Sequence, residues 1–242
     1  MRCPSKQTWT LGNSGLYQKQ IIIMLMKKPN SNVGFVIIPK NASTSLHSYF
    51  QSHGYHEVIG AEDAFGNDFT VVAVIQDPVV KFAKGFSEVY MRSMTDQNND
   101  PTDIRDNINA CISGMKHHNL ENFFYRLLSK NTLWKETHLK LQCRQIDSYK
   151  CNKTLIKIED MDQLPSLMGL DQPVPQKHES CEIQQKINRV LVKIINDAKY
   201  TPTLNNVWNF IFPDVEFYDK YFPSTHYDIE NIRTAHSIEE HQ

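Results

Sequence analysis

The sequence has no apolar run long enough to cross a bilayer. The longest near the start is Ile21-Ile22-Ile23-Met24-Leu25-Met26, far short of the roughly 20 residues a spanning helix needs. Lys19 and Gln20 before it do not lead into a small-residue cleavage site, so the run reads as an early buried strand, with no membrane span expected. An excess of one charge is also missing. With 26 basic and 27 acidic side chains the formal net charge is −1, which argues against nucleic acid held by a general basic surface. The five cysteines are odd in number and none sits in a Cys-x-x-Cys pair, so no metal is expected. Free thiols and the lack of a recognisable targeting segment give a cytoplasmic location as the simplest expectation.

Internal repeats, low-complexity tracts and long linkers are absent too, which leaves 242 residues as one expected domain, with 1–19 and 230–242 expected to fray. What remains is alternation. Gly34-Phe35-Val36-Ile37-Ile38 reads as a buried strand, followed by a helix over 45–53 that turns Leu46, Tyr49 and Phe50 inward and stops at Gly54. A second strand spans 69–75. After Pro78 comes a helix with Val79, Phe82, Phe86, Val89 and Tyr90 on its inner face. Another helix is expected over 120–128, a third strand over 154–158, and a long helix through Ile183, Ile187, Leu191 and Ile195. Continuous apolar strands between amphipathic helices predict an α/β fold, a central parallel sheet with helices on both faces. Such sheets bind ligands at the carboxyl ends of their strands, which directs attention to the loops after Ile38 and Ile75.

The first of these loops is Pro39-Lys40-Asn41-Ala42-Ser43-Thr44-Ser45. Small side chains let backbone N–H groups approach an anion, the following helix adds its positive end, and Ser43, Thr44 and Ser45 add hydroxyls. Lys40 supplies a mobile charge. The plainer alternative is an ordinary serine or threonine helix cap, but a cap needs one hydroxyl, not three and a lysine. A nucleotide kinase loop would place a hydroxyl directly after the lysine to hold magnesium; here Asn41 stands there. The sequons at Asn41 and Asn152 read as coincidence, since a glycan would not fit inside a phosphate loop.

Pro-Lys-x-x-Ser-Thr-Ser resembles the 5′-phosphosulfate loop of the carbohydrate sulfotransferases. Further segments resemble the family in the family's order, over about residues 33–222. Val74-Ile75-Gln76-Asp77-Pro78-Val79-Val80-Lys81 is similar to its 3′-phosphate segment, and His138-Leu139-Lys140-Leu141-Gln142 to a His-x-x-x-Gln element. Leu155-Ile156-Lys157-Ile158-Glu159-Asp160 resembles the strand and acidic turn that follow. Val174-Pro175-Gln176-Lys177-His178-Glu179-Ser180 loosely matches a later loop, and Phe217-Tyr218-Asp219-Lys220-Tyr221-Phe222 a terminal aromatic helix.

The resemblance implies a P-loop-like sulfotransferase architecture and transfer of a sulfonate from 3′-phosphoadenosine 5′-phosphosulfate to a hydroxyl of a carbohydrate acceptor. Lys40, Asn41, Ala42, Ser43, Thr44 and Ser45 would hold the 5′-phosphosulfate, and Lys40 would neutralise charge on the bridging oxygen. The 3′-phosphate would fall to Gln76, Lys81 and Lys84. The family usually has arginine at the first of these positions and serine at the last, so Lys84 is expected to compensate for the missing arginine; the alternative is that Lys81 and Lys84 form a solvated helix face. His56 and His138 are the candidate bases, and Glu159 and Asp160 are expected to cap a turn. Two other readings stay open: a sulfotransferase-like protein that binds without turnover, and a P-loop kinase in which Asp77, after the strand 71–75, is a magnesium-binding acidic strand end.

Overall fold

The computed structural model describes residues 24–58, 68–95, 139–175, 181–223 and 227–238, with side chains in 89–95 excepted. The expected helix over 120–128, His138, the inward faces of Val89 and Tyr90, most of the 174–180 loop and the expected frayed start lie outside them. Five strands are present among the described residues: β1 Met24–Lys27, β2 Val33–Ile37, β3 His56–Val58, β4 Thr70–Ile75 and β5 Asn152–Lys157. The helices are α1 Ser43–Ser52, α2 Pro78–Thr95, α3 Gln142–Asp147, α4 Leu164–Leu167, α5 Glu182–Asp197, α6 Asn205–Tyr221 and α7 Ile229–Ala235. Short 3₁₀ turns cover Ile158–Gln163 and Pro202–Leu204. No described helix is long and apolar enough to cross a membrane.

The strands form one sheet in the order β3-β1-β2-β4-β5. Its β2-β4-β5 half is parallel, in register from Val33 opposite Thr70 and from Thr70 opposite Asn152. The expected all-parallel sheet is therefore corrected to a mixed one, because β1 runs antiparallel to both β2 and β3. Chain length explains this. Only residues 28–32 join β1 to β2, whereas a parallel crossover needs about a dozen residues or more. Asn30 takes a left-handed φ of 61° in that turn, a conformation asparagine adopts more readily than most residues.

Alternation along the strands feeds two cores, which is why both faces carry helices. Leu25, Val36, Val71, Ala73 and Ile75 face a core completed by Phe82 and Phe86 of α2, Leu191 and Ile195 of α5, and Trp208 and Ile211 of α6. Met26, Phe35, Ile37, Val72 and Val74 face the other way, against Leu46, Tyr49 and Phe50 of α1 and Leu164 of α4. Gly54 ends α1 as expected, at φ 77°. Its N–H bonds Gln51 C=O at 3.1 Å while Tyr55 N–H bonds Phe50 C=O at 3.0 Å, the paired closure that favours glycine.

Part of the stretch 230–242 expected to fray is helical, in α7. Asp228 accepts from Asn231 N–H at the start of α7, and Ile232 and His236 are buried. One inward isoleucine per turn leaves too weak a periodicity to read, yet it suffices to dock a short helix onto α6.

Candidate functional site

Three loops meet at the carboxyl ends of the parallel strands: 38–42 after β2, 76–77 after β4, and the turn from Ile158 after β5. The first is strained. Lys40 and Ala42 have φ of 71° and 57°, a left-handed backbone costing a non-glycine residue of order 1–3 kcal/mol. Ala42 is the N-cap of α1, and its methyl side chain gives no cap hydrogen bond. Leu46 N–H donates to Ala42 C=O at 3.0 Å, which begins the helical ladder. Three hydroxyl residues open this helix, and none of them stands at its N-cap position. Ser45 is buried, Ser43 half-buried and Thr44 exposed.

Beneath the loop lies a buried neutral network centred on Gln142, the first residue of α3, which is fully buried. Its side-chain oxygen accepts from Asn41 Nδ2 at 2.8 Å and from Gln76 N–H at 3.1 Å. Its Nε2 donates to Gln76 C=O at 2.8 Å. Asn41 Nδ2 also donates to Val74 C=O at 2.8 Å. One glutamine thus ties the end of β4 to the loop after β2. With Asn41 1% exposed and its amide engaged, a glycan there is excluded. Asp214 of α6 supports the network from below, accepting the N–H groups of Gln142 and Cys143 at 3.0 and 2.8 Å. That buried carboxylate takes the cap position of α3, and together with burial it pushes the Cys143 thiol up.

Above the network the charged residues gather. Oriented by its neighbours, the buried Gln76 side chain donates to Lys40 C=O at 3.2 Å and accepts from Lys84 Nζ at 2.6 Å. Lys40 Nζ lies 3.3 Å from Glu88 Oε2, with both side chains half-buried. Burial holds the Lys84 ammonium below the usual lysine range, Glu159 opposes that shift, and Lys40 adds to it. Tyr218 of α6, its phenol pushed up to about 12 by burial and then by Asp77, Glu159 and Asp160, closes the side toward β5.

Lys40 through Ser45, Gln76 and Lys84 are therefore brought together, and two other expected residues are not. Lys81 is 3% exposed. Its ammonium donates to Lys140 C=O, and burial lowers its affinity for the proton against the pull of Asp214. It neither shares an anion with Lys84 nor lies on a solvated face. The second correction is His56, which is exposed at the start of β3 and level with Lys27, itself level with Gly34. That is the opposite end of the sheet from Lys40, and strand spacing alone puts it roughly 10 Å aside. His56 is not a base for this site. Glu159 and Asp160 sit in the first turn of the 3₁₀ segment expected of them, after Lys157 at its N-cap, and Glu159 faces Lys84 electrostatically.

The sequence reading left Asp214 without a role and did not foresee that Glu88 would reach Lys40. Glu88 lies four residues after Lys84, a spacing that puts the two on one helix face and was the signal available. Asp214, one acidic residue in an aromatic helix after Pro213, had only its oddness among apolar neighbours.

No family model, curated protein or solved structure matches the chain. The class that fold and site define is an α/β protein with a polar, cation-bearing site at the carboxyl ends of parallel strands.

Proposed function

We propose that the chain is a sulfotransferase of P-loop-like sulfotransferase architecture, moving a sulfonate from 3′-phosphoadenosine 5′-phosphosulfate to a carbohydrate hydroxyl. The observation that carries the reading is the strained turn 40–42 at the head of α1, which includes Lys40 and has alanine at the N-cap. Backbone strain kept at a strand end is characteristic of ligand-holding loops, and a helix start presents N–H groups and a positive dipole to an anion.

In this reading the acceptor oxygen attacks sulfur and the bond from sulfur to the bridging oxygen breaks. Phosphoadenosine phosphate leaves. Lys40 meets the charge that grows on the bridging oxygen, where a positioned cation acts mostly on the transition state. The first turn of α1 holds the non-bridging oxygens. With His56 at the far end of the sheet, His138 is the proposed acceptor of the hydroxyl proton. Asn41 after Lys40, where a magnesium-binding hydroxyl would stand, disfavours the kinase alternative.

Phosphoadenosine phosphate should bind and stabilise the fold by about 2.7 kcal/mol at ~100 times its dissociation constant, read as a thermal shift. A shift with ATP and magnesium but none with this nucleotide would replace the sulfotransferase reading with the kinase.

A further inference from the structure

Lys84 is the residue on which the resemblance and the geometry part company. The resemblance assigns it to a 3′-phosphate, as partner of position 76 and Lys81. Yet Lys81 is turned inward to the Lys140 carbonyl and Asp214, and the Gln76 side chain is spent between Lys40 C=O and Lys84. Two of the three groups are committed to the protein itself. The third, Lys84, is joined through one glutamine to the residue that carries the cradle's own lysine.

The surrounding charges make a compact set. Glu88 follows Lys84 by one turn of α2 and reaches Lys40, which brings the two lysines to one place, and there Lys40 disfavours the charge on Lys84. Bringing two like charges together in a half-buried place is unfavourable unless a counter-charge faces them. Glu88 provides it, its Oε2 lying 3.3 Å from Lys40 Nζ. Glu159 faces Lys84 from the turn after β5. The same Glu88 oxygen also accepts from Gln184 Nε2 of α5 at 3.1 Å, and that amide donates to Ser87 Oγ at 3.3 Å as well. Glu88 therefore keeps a neutral donor on α5 if its bond to Lys40 is given up.

We infer that Lys40 and Lys84 form a single two-lysine clamp for a compact dianion, a phosphosulfate or diphosphate group, which enters by replacing the Glu88 carboxylate on Lys40. The inference rests on reading this mouth as the anion site, and it moves Lys84 from the nucleotide's 3′ end to its 5′ end. Gln76 ties the Lys84 ammonium to the backbone of the loop that carries Lys40. Glu88 acts as an internal stand-in for the anion, and Gln184 holds its carboxylate when the ligand takes its place on Lys40.

The test is titration calorimetry with inorganic pyrophosphate, which carries the clamp's chemistry and no nucleoside. Lys84→Ala and Lys84→Gln should each weaken pyrophosphate roughly tenfold or more, the scale of a hydrogen bond to a charged group. Glu88→Gln should tighten it by up to about fivefold, the scale of a partly exposed ion pair. Circular dichroism establishes that each variant is folded. Unchanged affinity in both folded Lys84 variants, or weaker binding in Glu88→Gln, overturns the clamp. A parallel titration with phosphoadenosine phosphate separates the two claims. If pyrophosphate follows the expected pattern and the nucleotide binds no better, the clamp stands and the sulfotransferase reading falls.

Discussion

The floor and the mouth of the site differ in how their polar groups are satisfied. The floor, made by Gln142, Asn41 and the Gln76 backbone, is neutral and buried, joined by hydrogen bonds of 2.8–3.1 Å that leave only the Asn41 side-chain oxygen without a partner. The mouth, made by Lys40, Lys84, Glu88 and Glu159, is half-buried to exposed and held by charge. Buried neutral networks fix geometry because any unpaired member is heavily penalised. Half-exposed ion pairs contribute little to folding, so their members can be exchanged for a ligand. Shape is thus set below and exchangeable charge stands above, and Lys81 and Lys84, three positions apart on α2, fall on opposite sides of that division.

Gln142→Leu attacks the floor. It leaves the Gln76 N–H and C=O without their partner, and each unsatisfied buried group costs about 1–3 kcal/mol. A stability loss of roughly 2–4 kcal/mol is expected in urea unfolding. A variant as stable as the parent would show that the floor is no scaffold.

Tyr227→Phe tests a tie between the chain end and the site loop. Tyr227 Oη donates to Asp77 Oδ2 at 2.7 Å, while Asp77 Oδ1 accepts Val80 N–H at the start of α2. Losing a hydrogen bond to a charged group should lower stability by about 1.5–3 kcal/mol at neutral pH. Burial, then the Asp77 charge, raises the phenol above its ordinary value. The folded state therefore keeps this proton where the unfolded chain releases it, from about pH 10 upward. The tie is fully present below that pH and is lost as pH rises toward the raised folded value. The stability difference between parent and variant should shrink above about pH 10; a difference that stays constant would remove the Tyr227–Asp77 coupling.

Much of the fold was legible because strands and helices were buried on predictable periods. Val36 and Phe35, or Val71 and Val72, point to opposite cores, as alternating strand positions must. Strand direction was not legible in the apolar run at 21–26, because hydrophobicity carries no polarity; the short turn at 28–32 held that information. Within the site, the loop 40–45 was readable from local chemistry, Lys beside small and hydroxyl residues before a helix. Lys81 was not. Whether a helix lysine turns outward or inward depends on Lys140 and Asp214, which are remote in sequence. His56 misled for the converse reason, since nothing local told which end of the sheet it would occupy.

The most direct measurement is transfer of labelled sulfonate from phosphoadenosine phosphosulfate to a panel of glycans, by the parent protein and by Lys40→Ala. The account predicts label on a glycan hydroxyl, a turnover fall of about 10²–10³ in the variant, and closely similar unfolding curves for the two. No label on any glycan from a parent protein that binds the nucleotide would contradict the account, as would a Lys40→Ala variant that transfers sulfonate at the parent's rate.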